Sequence, residues 1–149
     1  ASVEIGASKI LDGAELAEGQ FTFELLDENG KVIDTAVNDE NGVILFGEIK
    51  YKEPGTYKYK VREVNDGQKG ILYDEKVYGI VVNVRDVDSV LEVDIEADEM
   101  IFTNVLQKSE PPAEDDTPKT GDSSGIIGYI MLAAAGFAGS IFVFRRRKA

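Results

Sequence analysis

Residues 54–64 read PGTYKYKVREV, and the apolar side chains of this segment recur at every second position. Tyr57, Tyr59 and Val61 fall on one side of an extended chain, and basic residues alternate with them on the other side. This alternation is typical of a β-strand with one face in a core and one face in solvent. The next residue on the inner face of the predicted strand is Glu63.

Segments of the same kind occupy residues 1–106, separated by turns that contain Gly, Asn or Pro. The predicted strands are Val3–Leu11, Phe21–Leu26, Val32–Val37, Val43–Ile49, Thr56–Val64, Val77–Arg85, Val90–Ile95 and Ile101–Leu106. The turn signals include Asn29-Gly30, Asn41-Gly42, Pro54-Gly55 and Asp66-Gly67. Many short strands in about a hundred residues predict an all-β domain, an immunoglobulin-like two-sheet β-sandwich.

Three strands carry a polar residue on the face that the alternation assigns to the core. These residues are Lys9 on the first predicted strand, Glu63, and Asn104 on the last predicted strand. Burying any of them without a partner costs several kcal/mol. Each has an ordinary alternative, since Lys9 can extend into solvent, Glu63 can lie beyond its strand and Asn104 can satisfy a turn. Their coincidence in one domain favours a shared, partnered site.

The composition of the chain excludes most enzyme chemistry. The 149 residues include no Cys and no His, which removes thiol nucleophiles, His-based triads, Cys/His zinc sites and disulfides. The net charge of −12 is the wrong sign for a protein that grips a phosphate backbone, so nucleic-acid binding is excluded as well. We expect no cofactor and no metal.

The C-terminal part of the chain predicts a membrane anchor. Residues 126–144 contain no charged residue, and a helix of this length spans about the 30 Å of a hydrocarbon core. A buried core helix is the alternative, but only Tyr129 and Ser140 break the apolar surface. The basic tail at residues 145–149 predicts a cytoplasmic C-terminus and an exported N-terminal part. Export predicts a preceding signal peptide, so we expect a mature form or a fragment.

Residues 107–125, QKSEPPAEDDTPKTGDSSG, predict an acidic, Pro-containing linker. Within the linker lies a Pro-x-Thr-Gly motif formed by Thr117, Pro118, Lys119, Thr120 and Gly121. This motif, a polar spacer, an apolar span and a basic tail together resemble a Gram-positive cell-wall sorting signal. The usual pattern of that signal has Leu where this chain has Thr117.

The resemblance to a sorting signal implies a specific set of partners. A membrane sortase would attack the carbonyl of Thr120 through its own Cys and release the chain from Gly121 onward. An amine of a peptidoglycan precursor or of a pilin lysine would then accept the acyl group. The chain would be a sortase substrate, held in the membrane before sorting and afterwards attached covalently to the cell wall at the cell surface. The alternative is a single-pass membrane protein with a Pro-rich stalk.

Residues 3–106 also resemble the pilin isopeptide-linkage domains of streptococcal-type surface proteins, relatives of collagen-adhesin B-type domains. The resemblance rests on five segments: ASKILDG, GQFTFELLDENGKVI, FGEIKYKEPGTYKYKVREV, ILYDEKVYGIVVNV and IFTN. In that family a lysine on the first strand forms an amide with an asparagine on the last strand, assisted by a buried acid. The resemblance assigns these roles to Lys9 as nucleophile, Asn104 as acceptor and Glu63 as proton shuttle.

Desolvation supplies a mechanism for such an amide. Burial disfavours charge, so we expect Lys9 to be a neutral amine and Glu63 to be protonated. Glu63 would hydrogen-bond the Asn104 carboxamide, polarise its carbonyl and shuttle protons as ammonia leaves. The reaction turns over once within the protein, so the chain is not an enzyme. Glu24, another acid nearby in sequence, lies on the opposite face of its strand and is expected to face solvent.

Other candidate sites have simpler interpretations. Asp86-Val87-Asp88 lacks the Gly and the distal Glu of a calcium-binding EF-hand loop. The alternating acids at positions 92, 94 and 96 predict a solvated outer face. A ligand groove lined by tyrosines is less favoured than core packing for Tyr51, Tyr57, Tyr59 and Tyr73.

The complete pattern predicts a wall-anchored surface or pilus structural protein that is stabilised by an internal Lys–Asn amide. One alternative is a monomeric wall-anchored adhesin that binds a host ligand through this domain or one upstream. A third is a carboxylate-based hydrolase, although no paired acids form a recognisable motif. A covalent homopolymer would distinguish a pilin from an adhesin, but the sequence has no pilin-type lysine motif.

Overall fold

The computed structural model describes residues 1–109, which form β-strands and contain no helix. The strands are β1 (Ser2–Val3), β2 (Gly6–Asp12), β3 (Thr22–Leu26), β4 (Val32–Val37), β5 (Val43–Leu45), β6 (Ile49–Lys50), β7 (Gly55–Glu63), β8 (Ile71–Leu72), β9 (Val77–Val87), β10 (Val90–Ala97) and β11 (Ile101–Leu106). The prediction of an all-β domain is confirmed for this part of the chain.

Three sheets are built from these strands, rather than the two that were predicted. The larger two are a five-stranded antiparallel sheet, β10-β9-β7-β3-β4, and a four-stranded sheet, β5-β2-β11-β8. Strands β1 and β6 form a separate pair. Within the four-stranded sheet, β2 and β11 are adjacent and parallel, with Lys9 opposite Phe102 and Leu11 opposite Asn104. Because side chains alternate along both strands, Lys9 and Asn104 lie on the same face.

The inner faces of the two larger sheets meet in one apolar core. The rings of Phe23 on β3 and Phe102 on β11 lie 5.1 Å apart, centroid to centroid, and both residues are fully buried. Tyr51 and Tyr59 are buried too, and the hydroxyl of Tyr51 donates to that of Tyr59 at 3.0 Å. Tyr57 and Tyr73 pack partly buried against this core. The core packing predicted for the four tyrosines is therefore confirmed.

Two predicted strands are each divided in the structure because the chain changes its partner. The segment predicted as Val3–Leu11 contributes β1 to the small pair and β2 to the four-stranded sheet. The segment predicted as Val43–Ile49 divides in the same way into β5 and β6. Between the divided halves, the amide of Phe46 donates to the carbonyl of Ile5 at 3.0 Å.

At three of the four predicted turns, the glycine has the positive φ that a tight turn requires. Gly30, Gly42 and Gly67 have positive φ, whereas Gly55 begins β7. Between β9 and β10 the turn is made by Asp88 and Ser89, with φ of 52° and 65°. That turn contains no glycine, so its position was not predicted from one.

The predicted sorting motif, membrane span and basic tail lie outside the described residues, as does all but the first part of the predicted linker. Within residues 1–109, no helix is long and apolar enough to cross a membrane.

Candidate functional site

Three different strands bring Lys9, Glu63 and Asn104 together in the core. Lys9 lies on β2 and Asn104 on the adjacent β11, while Glu63 is the last residue of β7 in the other large sheet. Lys9 is 3% exposed and Asn104 0%, and the side chain of Glu63 is 1% exposed. The alternatives in which Lys9 and Glu63 reach solvent are therefore wrong, and the burial predicted from strand alternation is observed.

One carboxylate oxygen contacts both nitrogen atoms. Oε1 of Glu63 lies 2.8 Å from Nζ of Lys9 and accepts a hydrogen bond from Nδ2 of Asn104 at 2.7 Å. The two nitrogens therefore cannot be farther apart than the sum of these two distances. The Glu63 carboxyl group is therefore close enough to exchange protons with both the Lys9 amine and the carboxamide nitrogen of Asn104.

The carbonyl of Asn104 has a different partner. Its Oδ1 accepts a hydrogen bond from the backbone amide of Asp74 at 2.8 Å. A backbone N–H can only donate, so this contact fixes the orientation of the carboxamide, with Oδ1 toward Asp74 and Nδ2 toward Glu63. The expectation that Glu63 polarises the carbonyl is thus not met, because Glu63 bonds the nitrogen instead.

The surroundings of the amine are apolar. Nζ of Lys9 lies 4.6 Å from the ring centroid of Phe21 and 5.7 Å from that of Phe23. Burial lowers the pKa of Lys9 from its ordinary 10.5, against the opposing attraction of the nearby Glu63 carboxylate. Burial likewise raises the pKa of Glu63 from its ordinary 4.5, against the opposing effect of Lys9. Both shifts favour a neutral amine beside a protonated acid.

Two polar atoms of the site lack a well-formed hydrogen bond. Oε2 of Glu63 has no partner, and the 2.8 Å contact between Nζ of Lys9 and Oε1 of Glu63 is not aligned as a hydrogen bond. A charged pair in this position would leave part of its desolvation cost uncompensated. The hydrogen-bonding capacity of the amine and of the acid is therefore only partly used.

Gly42 allows the chain to approach the strand that carries the amine. Its carbonyl accepts a hydrogen bond from the backbone amide of Lys9 at 2.7 Å. Its φ is +81°, and a Cβ placed on it would lie 2.1 Å from the carbonyl oxygen of Lys9. Only glycine meets both requirements without displacement of β2.

Glu24 lies on the outer face of β3, as its position in the alternation predicted. Its Oε2 accepts from Nε of Arg62 at 2.8 Å and lies 2.7 Å from Nη2. Glu24 therefore pairs with a neighbour on β7 and is not part of the buried site. Among residues 1–109, no three acidic side chains converge into a cluster that could hold a metal ion.

The contact of Asp74 with Asn104 was not predicted from the sequence. Asp74 lies between β8 and β9, outside any strand, so strand alternation makes no statement about it. The only available signal was its place in the segment ILYDEKVYGIVVNV, which carries part of the resemblance to pilin domains. Asp74 contacts Asn104 through its backbone N–H. Almost every residue type has this group, so the sequence does not show which residue makes the contact.

Comparison with known proteins identifies a family. A family model described as "FctA: Spy0128-like isopeptide containing domain" matches residues 5–107. No curated protein matches the chain.

Two solved structures show the likeness in fold. The chain is similar to the major pilin protein T-13 from Streptococcus pyogenes serotype GAS131465, at 18% identity over 70% of this chain and 52% of that one, with a TM-score of 0.52. It is also similar to the major pilin from Streptococcus pyogenes, at 18% identity over 70% of this chain and 50% of that one, with a TM-score of 0.50. The match covers about half the length of each pilin. Since the family model spans more than half of the chain, the chain belongs to the FctA family of Spy0128-like isopeptide containing domains.

Proposed function

We propose that this chain is a structural component of a bacterial surface pilus and that an intramolecular amide between Lys9 and Asn104 braces its β-domain. The observation that carries the proposal is the contact of a single buried oxygen, Oε1 of Glu63, with both Nζ of Lys9 and Nδ2 of Asn104. The family and the pilin-like fold support a surface role.

The proposed reaction converts an amine and a carboxamide into a secondary amide and ammonia. The lone pair of neutral Nζ attacks Cγ of Asn104, and the carbonyl electrons move to Oδ1. Glu63 takes a proton from Nζ and delivers one to Nδ2. The carbonyl re-forms, the Cγ–Nδ2 bond breaks and ammonia leaves. Because Lys9 and Asn104 are consumed, each chain reacts once.

The fold contributes proximity and a dry environment to this reaction. Holding two reactants in place can remove roughly 7–11 kcal/mol from a barrier. In the parallel pairing of β2 and β11, Lys9 lies opposite Phe102, and Asn104 is the next residue after Phe102 on the same face of β11. Lys9 and Asn104 are therefore neighbours on one face of the sheet. Burial of Nζ disfavours its charged form and so favours the nucleophilic amine.

Mass spectrometry of the full chain tests the proposed amide. The wild type should weigh one ammonia less than its sequence requires, and Glu63→Gln should have the full mass because it lacks the acid that moves the protons. Lys9→Met serves as the control that lacks the nucleophile. A wild type of full mass in the folded state would contradict the proposal.

We further propose that the chain reaches the cell wall as a sortase substrate. The order of the Pro-x-Thr-Gly motif, spacer, apolar span and basic tail supports this. In a Gram-positive host, the wild type should be recovered from the cell wall after digestion of peptidoglycan, without the residues that follow Thr120. Thr120→Ala should stay in the membrane fraction with its C-terminus intact. Equal recovery of both forms from the membrane would contradict wall anchoring.

Assembly into a pilus predicts covalent multimers. A ladder of bands on denaturing gels of wall extracts would support a polymer linked through a pilin lysine. A single band released from the wall would favour the monomeric adhesin over the pilus component.

A further inference from the structure

Asp74 contacts the reacting carboxamide through its backbone. Its N–H donates to Oδ1 of Asn104 at 2.8 Å, on the opposite side of the carboxamide from Glu63. During the attack of Lys9, negative charge develops on that oxygen. A donor already in place at this distance stabilises such charge without reorganisation.

The carboxylate of Asp74 fastens this part of the chain to β11. Its Oδ2 accepts from the backbone amide of Thr103 at 2.8 Å, and its Oδ1 accepts from that of Lys76 at 3.0 Å. The side chain of Asp74 is only 7% exposed. Asp74 thus bonds two successive residues of β11, one through its carboxylate and one through its N–H.

The pairing of β11 leaves room for this contact. Strand β8 covers β11 only at Val105 and Leu106, so the amide of Thr103 is free of that strand. The carboxylate of Asp74 accepts this amide instead, and Thr103 directly precedes Asn104 in β11. Although burial opposes ionisation, hydrogen bonds from Thr103 and Lys76 help lower the pKa of Asp74 below its ordinary value. An ionised carboxylate suits an acceptor of two backbone amides.

We propose that the backbone N–H of Asp74 is the oxyanion donor for amide formation and that its carboxylate is the positioning group that holds this donor against Asn104. This inference rests on the proposed function. The two ends of the carboxamide then have different partners. Asp74 stabilises the charge on Oδ1, and Glu63 lies beside Nδ2, which leaves as ammonia.

The positioned N–H of Asp74 should speed amide formation, whereas the negative charge of its carboxylate should slow it. Its negative charge raises the pKa of Lys9 and so disfavours the neutral amine. If charge were its only role, Asp74→Asn and Asp74→Ala would speed amide formation. If it positions the donor, both variants slow the reaction, and Asp74→Asn slows it less because its side-chain oxygen still accepts one amide.

A time course of amide formation separates these outcomes. The full chain is made in a cell-free system with a short isotopic pulse, quenched in denaturant at intervals, and assayed by mass for the loss of ammonia. Loss of one oxyanion donor costs about 10²–10³-fold in comparable cases, so we expect Asp74→Ala to slow by about 10²-fold. Glu75→Ala is the matched control, since Glu75 is an exposed acid next to Asp74 in the same loop, and this variant should react at the wild-type rate.

A second measurement separates positioning from a general loss of fold. In the Lys9→Met background, which cannot react, the amide proton of residue 74 should resonate downfield and be protected from hydrogen exchange. Asn104→Ala should remove both properties without unfolding the domain. If Asp74→Ala fails to fold, the rate of Asp74→Asn decides.

Slow but complete reaction in the Asp74 variants, with the amide signal as described, supports the inference. Wild-type or faster rates in both variants overturn it while leaving the Lys9–Asn104 amide intact. A wild type that never loses ammonia overturns the proposed function, and the inference falls with it.

Discussion

At the scale of single residues, the proposed chemistry depends on three polar groups placed where apolar side chains would otherwise pack. Strand alternation was sufficient to find Lys9, Glu63 and Asn104, because each continues the inner face of its strand. It could not find Asp74, whose contact uses a backbone N–H. It also could not tell which atom of the carboxamide faces Glu63, since that depends on donors from elsewhere in the fold.

The buried pair should make stability depend on pH in an unusual direction. In Asn104→Ala, which cannot form the amide, the raised pKa of Glu63 means that the folded state binds its proton more tightly. Stability should therefore fall as pH rises from 4.5 through the folded-state pKa. The lowered pKa of Lys9 should make stability rise again as pH approaches 10.5.

Denaturant unfolding across pH measures this dependence. The control combines Lys9→Met and Glu63→Gln with Asn104→Ala, so that neither group titrates. Relative to the control, an ordinary ion pair would gain stability above pH 4.5, and that gain would contradict the neutral pair. In the wild type the alkaline rise should be absent, because an amide nitrogen does not titrate.

At the scale of elements, periodicity predicted most strands because each has one face in the core. Val32–Val37 and Ile101–Leu106 have the predicted bounds. Periodicity missed β8, which has only two residues, and it could not show that two predicted strands divide between sheets. Those features depend on partners that are distant in sequence. The parallel pairing of β2 with β11, which places Lys9 and Asn104 on one face, is likewise a property of the whole topology.

Gly42 offers a test of how the loop before β5 supports Lys9. Gly42→Ala should lose about 1–3 kcal/mol of stability from backbone strain, and more from the contact of its new Cβ with the carbonyl of Lys9. Gly30→Ala is the matched control, since Gly30 has the same φ of +81° but nothing within 4 Å of a new Cβ. Thermal and denaturant unfolding of both variants in the Lys9→Met background provides the comparison. Equal losses would contradict a role for the close approach.

At the scale of the whole molecule, the proposed amide would join the first long strand to the last. The chain has no Cys, so a disulfide cannot supply such a link. By analogy with disulfides, a link across about 100 residues restricts the unfolded chain by about 4.7 kcal/mol. Lys9→Met should therefore lower the free energy of unfolding by about that amount, as measured in denaturant. A wild type no more stable than Lys9→Met would contradict the brace.

Mechanical load should reveal the same link. Because β2 and β11 are parallel neighbours, tension applied at residues 1 and 109 pulls the two strands past each other. With the amide in place the chain between Lys9 and Asn104 cannot extend, so force spectroscopy should show no unfolding step of the domain. Lys9→Met should show one. A full-length unfolding step in the wild type would indicate that the strands are not joined.

The most direct measurement is tandem mass spectrometry of a digest of the folded full chain. It should contain one branched peptide in which the segment that carries Lys9 is joined to the segment that carries Asn104, with the loss of one ammonia at the junction. The branched peptide should be absent from Glu63→Gln. Recovery of both segments only as separate linear peptides of full mass, from wild-type protein shown to be folded, would contradict the account.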